Sequence, residues 1–314
     1  MITRRNLIVS SASAAAAASS LLNVAFAQDK VIKVGTLKLM HAITPHFYEK
    51  FSPAGYKFEI IPFETPTDGK NAVVTKSVTF GAFGIAAATL GGANGESVVV
   101  IGAQCNKGMA VVAGKDSAIA SIKALKGKKV GILPGSTQEV VILDRLKQEG
   151  MTVADIMPVR LAFSEMPAAL ERGDIDAYVG AEPGPSISIS RGIGKVVEYP
   201  YGTPTGALNM VMCTHADVVK SDPAMIRAFL QMHRKATEFA LANRQAFIEM
   251  CEQKLGLPAK TVELAAPNIE LTWRIDDDWV TRAKYYGAQM LDKKQIRQLP
   301  DYTSFINTSF AKSI

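Results

Sequence analysis

Two stretches of this chain repeat one another at a separation of 96 positions. Lys33-Val34-Gly35-Thr36-Leu37 reads like Lys129-Val130-Gly131-Ile132-Leu133, and Glu59-Ile60-Ile61-Pro62-Phe63 like Asp155-Ile156-Met157-Pro158-Val159. The same separation sets Ala72 against Ala168, Lys76 against Arg172 and Gly84 against Gly180. A repeat fixes the plan of a fold before local signals are weighed. Each copy reads as strand, helix, strand, helix, strand. The first strands are Ile32–Leu37 and Val130–Leu133, the second Lys57–Pro62 and Ile156–Leu161, and the third Thr79–Phe83 and Ala177–Gly180. In the second copy a helix runs from Thr137 to Glu149 and stops at Gly150, and another spans Met166–Arg172. Strands alternating with helices predict a parallel sheet covered on both faces. Two copies predict an α/β chain of two lobes, each a doubly wound sheet.

After the second copy the chain returns. Ala207–Cys213 is apolar and strand-like. Ser221-Asp222-Pro223 starts a helix, with a capping side chain and proline in the first turn. Ile226, Phe229, Leu230, His233 and Ala240 mark one face of that helix. Further helices are expected over Gln245–Leu255, Ala259–Ala265 and Asp277–Leu291. Strand-like crossings at Met109–Gly114 and Thr205–Met212 are expected to form a two-strand hinge. This divides the chain into lobe I (28–112 and 208–314) and lobe II (113–207). In open α/β sheets ligands bind beyond the carboxyl ends of the strands. Two facing lobes bring those ends to one cleft, which closes by hinge motion.

The amino terminus reads as an export signal. Arg4 and Arg5 precede an alanine-rich apolar stretch, and Ala25-Phe26-Ala27 is a small-x-small cleavage site. Asn6-Leu7-Ile8 after the paired arginines resembles a twin-arginine signal, although any secretory signal needs such a positive start. Cleavage after Ala27 leaves 287 of the 314 residues in the periplasm. That length is enough for two lobes, each with its own core. Losing both arginines takes the net charge from +6 to +4. So mild and dispersed a charge suits an anionic solute and excludes a nucleic-acid partner. Cys105, Cys213 and Cys251 are an odd set. Cys105 and Cys213 both end strand-like runs and could pair in an oxidising compartment; otherwise all three are small buried residues.

Several passages resemble the periplasmic solute-binding proteins of ABC importers of the nitrate, sulfonate and taurine type, a superfamily that includes proteins for thiamine-pyrimidine precursors. They are Val112-Ala113-Gly114-Lys115-Asp116-Ser117-Ala118-Ile119, Ile122-Lys123-Ala124-Leu125-Lys126-Gly127-Lys128-Lys129, Gly135-Ser136-Thr137, Ala169-Leu170-Glu171-Arg172-Gly173-Asp174-Ile175-Asp176-Ala177 and Glu182-Pro183. The resemblance implies a type II-like periplasmic binding protein fold. It also implies a small-molecule ligand, a membrane permease as partner, and no cofactor, metal or catalytic residue. A monomer is expected. One departure is that Phe80 stands where the 96-residue separation matches Asp176.

The candidate ligand contacts follow the strand ends. Gly135, Ser136 and Thr137 lie between a strand and a helix. Free N–H groups at a helix start, with two hydroxyls, hold an oxyanion; the plainer role for Ser136 is a helix cap. Met40, His41 and Thr44 follow the first strand. Phe83, Gly84 and Ile85 end the third, where glycine lets backbone come close and Phe83 packs either a solute or the core. Glu182 ends the matching strand of lobe II and favours a ligand with an N–H. Asn106 and Lys107 end another strand, and Trp273 is expected in the core. The expected solute is a small organic anion (sulfonate, carboxylate or nitrate-like, with or without a ring). The alternatives are a pyrimidine-type heteroaromatic and a solute-sensing receptor partner. No nucleophile elbow, Walker loop or zinc pair is present in the sequence, so an enzyme is not expected.

Overall fold

The computed structural model describes residues 29–314. The export signal and its cleavage position lie outside the described residues. Eleven strands form two sheets among the described residues. In chain order they are β1 (Lys30–Leu37), β2 (Tyr56–Phe63), β3 (Phe80–Gly84), β4 (Val99–Lys107), β5 (Met109–Gly114), β6 (Lys129–Ile132), β7 (Met157–Arg160), β8 (Ala177–Ala181), β9 (Gly194–Glu198), β10 (Leu208–Thr214) and β11 (Ile269–Leu271). The first sheet has the order β11-β4-β10-β3-β1-β2 and the second β7-β6-β8-β5-β9.

The two repeats build the same parallel trio, β2-β1-β3 and β7-β6-β8. Their third strands correspond with a slip of one residue. Val34 lies opposite Phe80, but Val130 lies opposite Ala177. The Thr79 N–H donates to Lys33 O at 2.9 Å, and the Asp176 N–H donates to Lys129 O at 2.8 Å. One extra residue in the second connection therefore matches Asp176 to Thr79. The counterpart of Asp176 is thus an uncharged threonine, and Gly84 corresponds to Ala181 instead of Gly180. Asp176 sits at the amino end of its sheet, where its carboxylate accepts the Lys129 N–H at 2.8 Å, away from the cleft.

The lobes join at a sharper point than two crossing strands. β4 belongs wholly to the first sheet and β5 wholly to the second, with Gly108 alone between them. Met109, Ala110, Val111 and Val112 were assigned to lobe I from sequence, yet they pair with β8 and β9. Lys107 (φ 59°) and Gly108 (φ 73°) are both left-handed, which turns the chain out of the first sheet at once. A Cβ on Gly108 would also stand 3.1 Å from His41 Nδ1, so both the backbone and the close ring favour glycine. The return runs through 199–207, and β10 lies entirely in the first sheet.

The first sheet carries a core on each face. Val99, Ile101 and Cys105 of β4 face one core with Met40, Ile43, Phe229 and Leu230. Val98, Val100 and Ala103 face the other with Phe83, Trp279 and Tyr286. Both faces are buried, so the strands read as unbroken apolar runs. Helix Pro223–Ala242 starts where Asp222 accepts the Met225 N–H at 3.0 Å. It buries Ile226, Phe229, Leu230, His233 and Ala240, the face its spacing predicts. Phe229 stacks on Phe80 at a centroid distance of 3.7 Å. All three cysteines are free and buried. Cys105 and Cys213 stand on neighbouring strands but face opposite cores, so they cannot pair. Trp273 is half-buried between the guanidiniums of Arg234 and Arg274 instead of filling the core.

The lobes also touch away from the crossovers. Helix Thr137–Gln148 of the second sheet lies along helix Asp277–Asp292 of the first. Tyr286 donates to Thr137 O at 3.0 Å, Lys147 pairs with Asp292 at 2.8 Å, and Lys293 stands 3.6 Å from Asp144. On the other face, helix Gly184–Ser190 packs against helix Ala259–Ala265.

Candidate ligand-binding cleft

The carboxyl ends of β1, β2, β3 and β4 face those of β6, β7 and β8. A cavity of about 300 Å³ lies between them. Lys38 and Leu39 after β1 and Glu64 after β2 form one side. Ala162, Phe163 and Ser164 after β7, with Ala181, Pro183 and Gly184 around the end of β8, form the other. Ile187, Lys254, Leu255 and Leu257 complete it. The wall is mostly apolar, with charge at the rim. Lys38 and Glu64 pair with one another there. Lys254 makes no ion pair among the described residues, and its field helps lower the pKa of half-buried His46 to about 4, after burial.

The predicted contacts divide into three groups. Gly84 and Thr137 meet across the lobes: a Cβ on Gly84 would stand 2.7 Å from Thr137 Oγ1. That hydroxyl donates to Asn209 O at 3.3 Å, so the lobes close directly on each other here. Gly135 approaches Thr67 of the opposite lobe. Its N–H donates to Glu139 Oε2 at 2.8 Å, and the same carboxylate accepts from Gln295 at 3.1 Å. Ser136 donates to Leu133 O at 2.7 Å and accepts the Glu139 N–H at 3.1 Å. This helix start is thus capped by its own serine and already faces a carboxylate, which opposes a second anion at the same point.

A second group gathers at the crossover. His41 is buried against Gly108 and beside Asn209. Burial lowers its pKa to about 3, so its ring is neutral. The Gly108 carbonyl accepts the Glu182 N–H at 2.9 Å, and the Gly108 N–H donates to Asn268 O at 2.7 Å. Asn268 donates from its side chain to Glu182 Oε1 at 3.1 Å, and Ser186 N–H donates to Oε2 at 3.2 Å. Burial raises the Glu182 carboxyl above its ordinary range, against these hydrogen bonds. Met40 and Thr44 are buried on the same segment as His41.

The third group points elsewhere. Phe83 and Ile85 pack in the core of the first lobe. Asn106 donates to Glu270 at 3.0 Å and Lys107 pairs with Glu270 at 2.7 Å, beside a different cavity. Leu39, Phe163 and Lys254 were missed from sequence. The strand-end rule reaches Leu39 and Phe163, which follow β1 and β7; Lys254 lies in the helical tail and carries no such signal. Nor does the sequence single out Gln104 and Asn209, both buried polar side chains. Each is the extra residue of a β-bulge between β4 and β10, where the pairing skips it. Bulges re-aim side chains and gather next to sites. Among the described residues no three His, Cys, Asp or Glu side chains are placed to hold a metal.

The sequence model for NMT1/THI5-like proteins matches residues 42–246. The chain belongs to the NMT1/THI5-like family. Within reach of this family member is a protein of Escherichia coli (strain K12) named as an aliphatic sulfonates-binding protein. It is 23% identical over 264 residues, covering 82% of each chain. A protein of Bacillus subtilis (strain 168) with the same name is 22% identical over 320 residues, covering 98% of this chain and 96% of its own. The solved alkanesulfonate-binding protein of Xanthomonas axonopodis pv. citri, bound to MOPS, superposes with a TM-score of 0.79 at 17% identity. It covers 90% of this chain and 99% of its own. That likeness shows the two-lobed periplasmic binding protein fold for this family member.

Proposed function

We propose that this protein is the periplasmic solute-binding component of an ABC importer and captures a small organic anion between its lobes. The carrying observation is the cavity itself. It lies at the converging strand ends of two lobes, is walled by Leu39, Phe163, Ile187 and Leu257, and carries on its rim Lys254, which makes no ion pair among the described residues. An apolar wall with a few polar groups is the ordinary makeup of a small-molecule site. The bulk of the solute then rests on the wall and its charge lies toward Lys254, not at the capped helix start beside Ser136. Family membership and the names of its relatives support capture for import over catalysis. In this reading a membrane permease is the partner and a monomer the working form.

The test is a thermal-shift screen of the mature protein against alkane- and arenesulfonates, aromatic carboxylates and nitrate. A ligand at a hundredfold excess over its Kd adds about 2.7 kcal/mol to native stability. For a chain of this size that raises Tm by roughly 5–10 °C. An anion with an apolar body should give such a shift and nitrate a smaller one. A panel in which no anion moves Tm would refute the reading.

A further inference from the structure

Resting on the reading of the cleft as a solute site, we propose that His41, Thr44 and Gln104 form an uncharged polar floor that binds a carboxamide-like group, a paired N–H donor and C=O acceptor, on the solute. His41 Nδ1, Thr44 Oγ1 and both amide atoms of Gln104 are buried and have no hydrogen-bond partner in the protein. The three residues are 1%, 0% and 0% exposed. Buried polar atoms are almost always paired, and each exception calls for a partner. Four such atoms in one region of the fold are a recognition surface awaiting its complement.

The backbone brings them to one region. Met40–Ala42 and Thr44–Phe51 are 3₁₀ turns joined through Ile43, itself helical at φ −75° and ψ −24°. At three residues per turn, His41 and Thr44 lie one above the other. The first of these turns packs against β4, the strand that carries Gln104 in a bulge. Tyr48, four residues beyond Thr44, bonds His233 Nδ1 at 2.8 Å, and His233 Nε2 meets the carbonyl of Ala103 at 3.0 Å, next to Gln104 in the chain. None of the three lines the cavity in this arrangement of the lobes, but its wall comes close to them along two segments. Leu39 lines the cavity two residues before His41. Glu182, tied to Gly108 beneath His41, stands between the lining residues Ala181 and Pro183.

The chemistry of the set is specific. An amide offers one donor and one acceptor, a hydroxyl offers either, and a neutral imidazole nitrogen takes the role its tautomer leaves open. None of the three carries a positive charge, so a sulfonate or carboxylate gains no ion pair from them. A carboxamide or lactam edge satisfies them reciprocally. A site built to hydrogen-bond such a group rejects the analogue lacking it, because its own atoms are then left unpaired.

The test compares two probes of nearly equal shape, 4-carbamoylbenzenesulfonate and 4-isopropylbenzenesulfonate, by calorimetric titration of the mature protein and of Gln104→Met. The floor predicts at least tenfold tighter binding of the carbamoyl probe by the unmodified protein. In Gln104→Met that preference should vanish with the isopropyl probe unaffected, and the ligand-free Tm should rise, because a buried unpaired amide is gone. Equal affinity for both probes, or a preference unchanged in Gln104→Met, overturns the floor while solute capture stands. A ligand-free Tm that falls in Gln104→Met, with no change in preference, assigns the amide to a structural water and also overturns it. Binding of neither probe, while another anion of the thermal-shift panel does raise Tm, overturns the floor alone; capture falls only with the whole panel.

Discussion

Replacing Gly84 with alanine should prop the lobes apart without harming either one. Gly84 has φ −62° and ψ 140°, a conformation open to alanine, so β3 and the helix that follows it have no reason to distort. Removing a glycine at such a position stabilises a fold by about 0.4–1 kcal/mol through the unfolded chain. The strain falls on the contact between lobes. The new methyl would stand 2.7 Å from Thr137 Oγ1, about 0.7 Å inside ordinary contact, with Thr137 Cβ and Pro66 Cβ next at 3.8 Å. Overpacking of this size costs typically 1–3 kcal/mol. Here it is levied on the closed arrangement alone. Ligand affinity depends on closure, so it should fall about 5- to 150-fold. Tm of the ligand-free protein should hold or rise. Calorimetric titration reads the affinity, and small-angle scattering reads a larger radius of gyration. Adding Thr137→Ala removes the offending oxygen and leaves only the 3.8 Å contacts, so the double variant should regain most of the affinity. Unchanged affinity and size in Gly84→Ala, or no rescue in the double variant, would refute the direct closure of the lobes at this point.

Three further outcomes follow from the geometry. His41 and His233 are buried with pKa values lowered to about 3 and about 4, against 6.5 when unfolded. The unfolded chain therefore takes up protons first. Stability is fully present above pH 6.5 and drains as pH falls below it, by about 2 kcal/mol per histidine at pH 5. The raised Glu182 carboxyl works in the opposite direction, and urea titrations between pH 7.5 and pH 5 read the balance. Phe229→Ala should cost about 3–5 kcal/mol, since its ring is buried and stacked on Phe80, and a urea midpoint within error of the parent would contradict that packing. Lys254→Ala should weaken binding of an organic sulfonate about two- to fivefold at low salt, as expected for an exposed charge. The difference should vanish at 0.5 M salt, a concentration at which screening shortens the reach of such charges to about 4–5 Å.

The two-lobed plan was legible because a repeat is a property of sequence alone. Val34 and Val130, Pro62 and Pro158, can be matched without knowing what they touch. What the repeat could not show is pairing. The one-residue slip that sets Asp176 against Thr79 appears only when β3 and β8 are laid beside their neighbours. The hinge was blurred for a related reason. Met109–Gly114 reads as one apolar strand, and nothing in its composition says which sheet it joins. The decisive signal, two left-handed residues at Lys107 and Gly108, was half visible as a glycine. In the cleft, the rule that ligands sit at strand ends singles out Gly84, Thr137 and Glu182, which the structure sets where the lobes meet. It does not foresee that the Ser136 hydroxyl is taken up by its own helix. It could not find Gln104 and Asn209, whose orientation is set by bulges in a neighbouring pairing.

The contacts of helix Thr137–Gln148 with Asp277–Asp292, and of Gly184–Ser190 with Ala259–Ala265, have a mechanical consequence. They stand on either side of the crossovers at β4, β5 and β10, like a pair of bearings holding one axle. Twisting one lobe on the other would have to tear both, including the nearly dry Lys293–Asp144 pair. A swing about that axle spares them, and it would separate the far margins, β2 on one lobe and β7 on the other. A solute should enter and leave past Glu64 and Phe163. A membrane partner that holds those two margins apart would empty the protein, whereas one gripping the axle side would have no leverage.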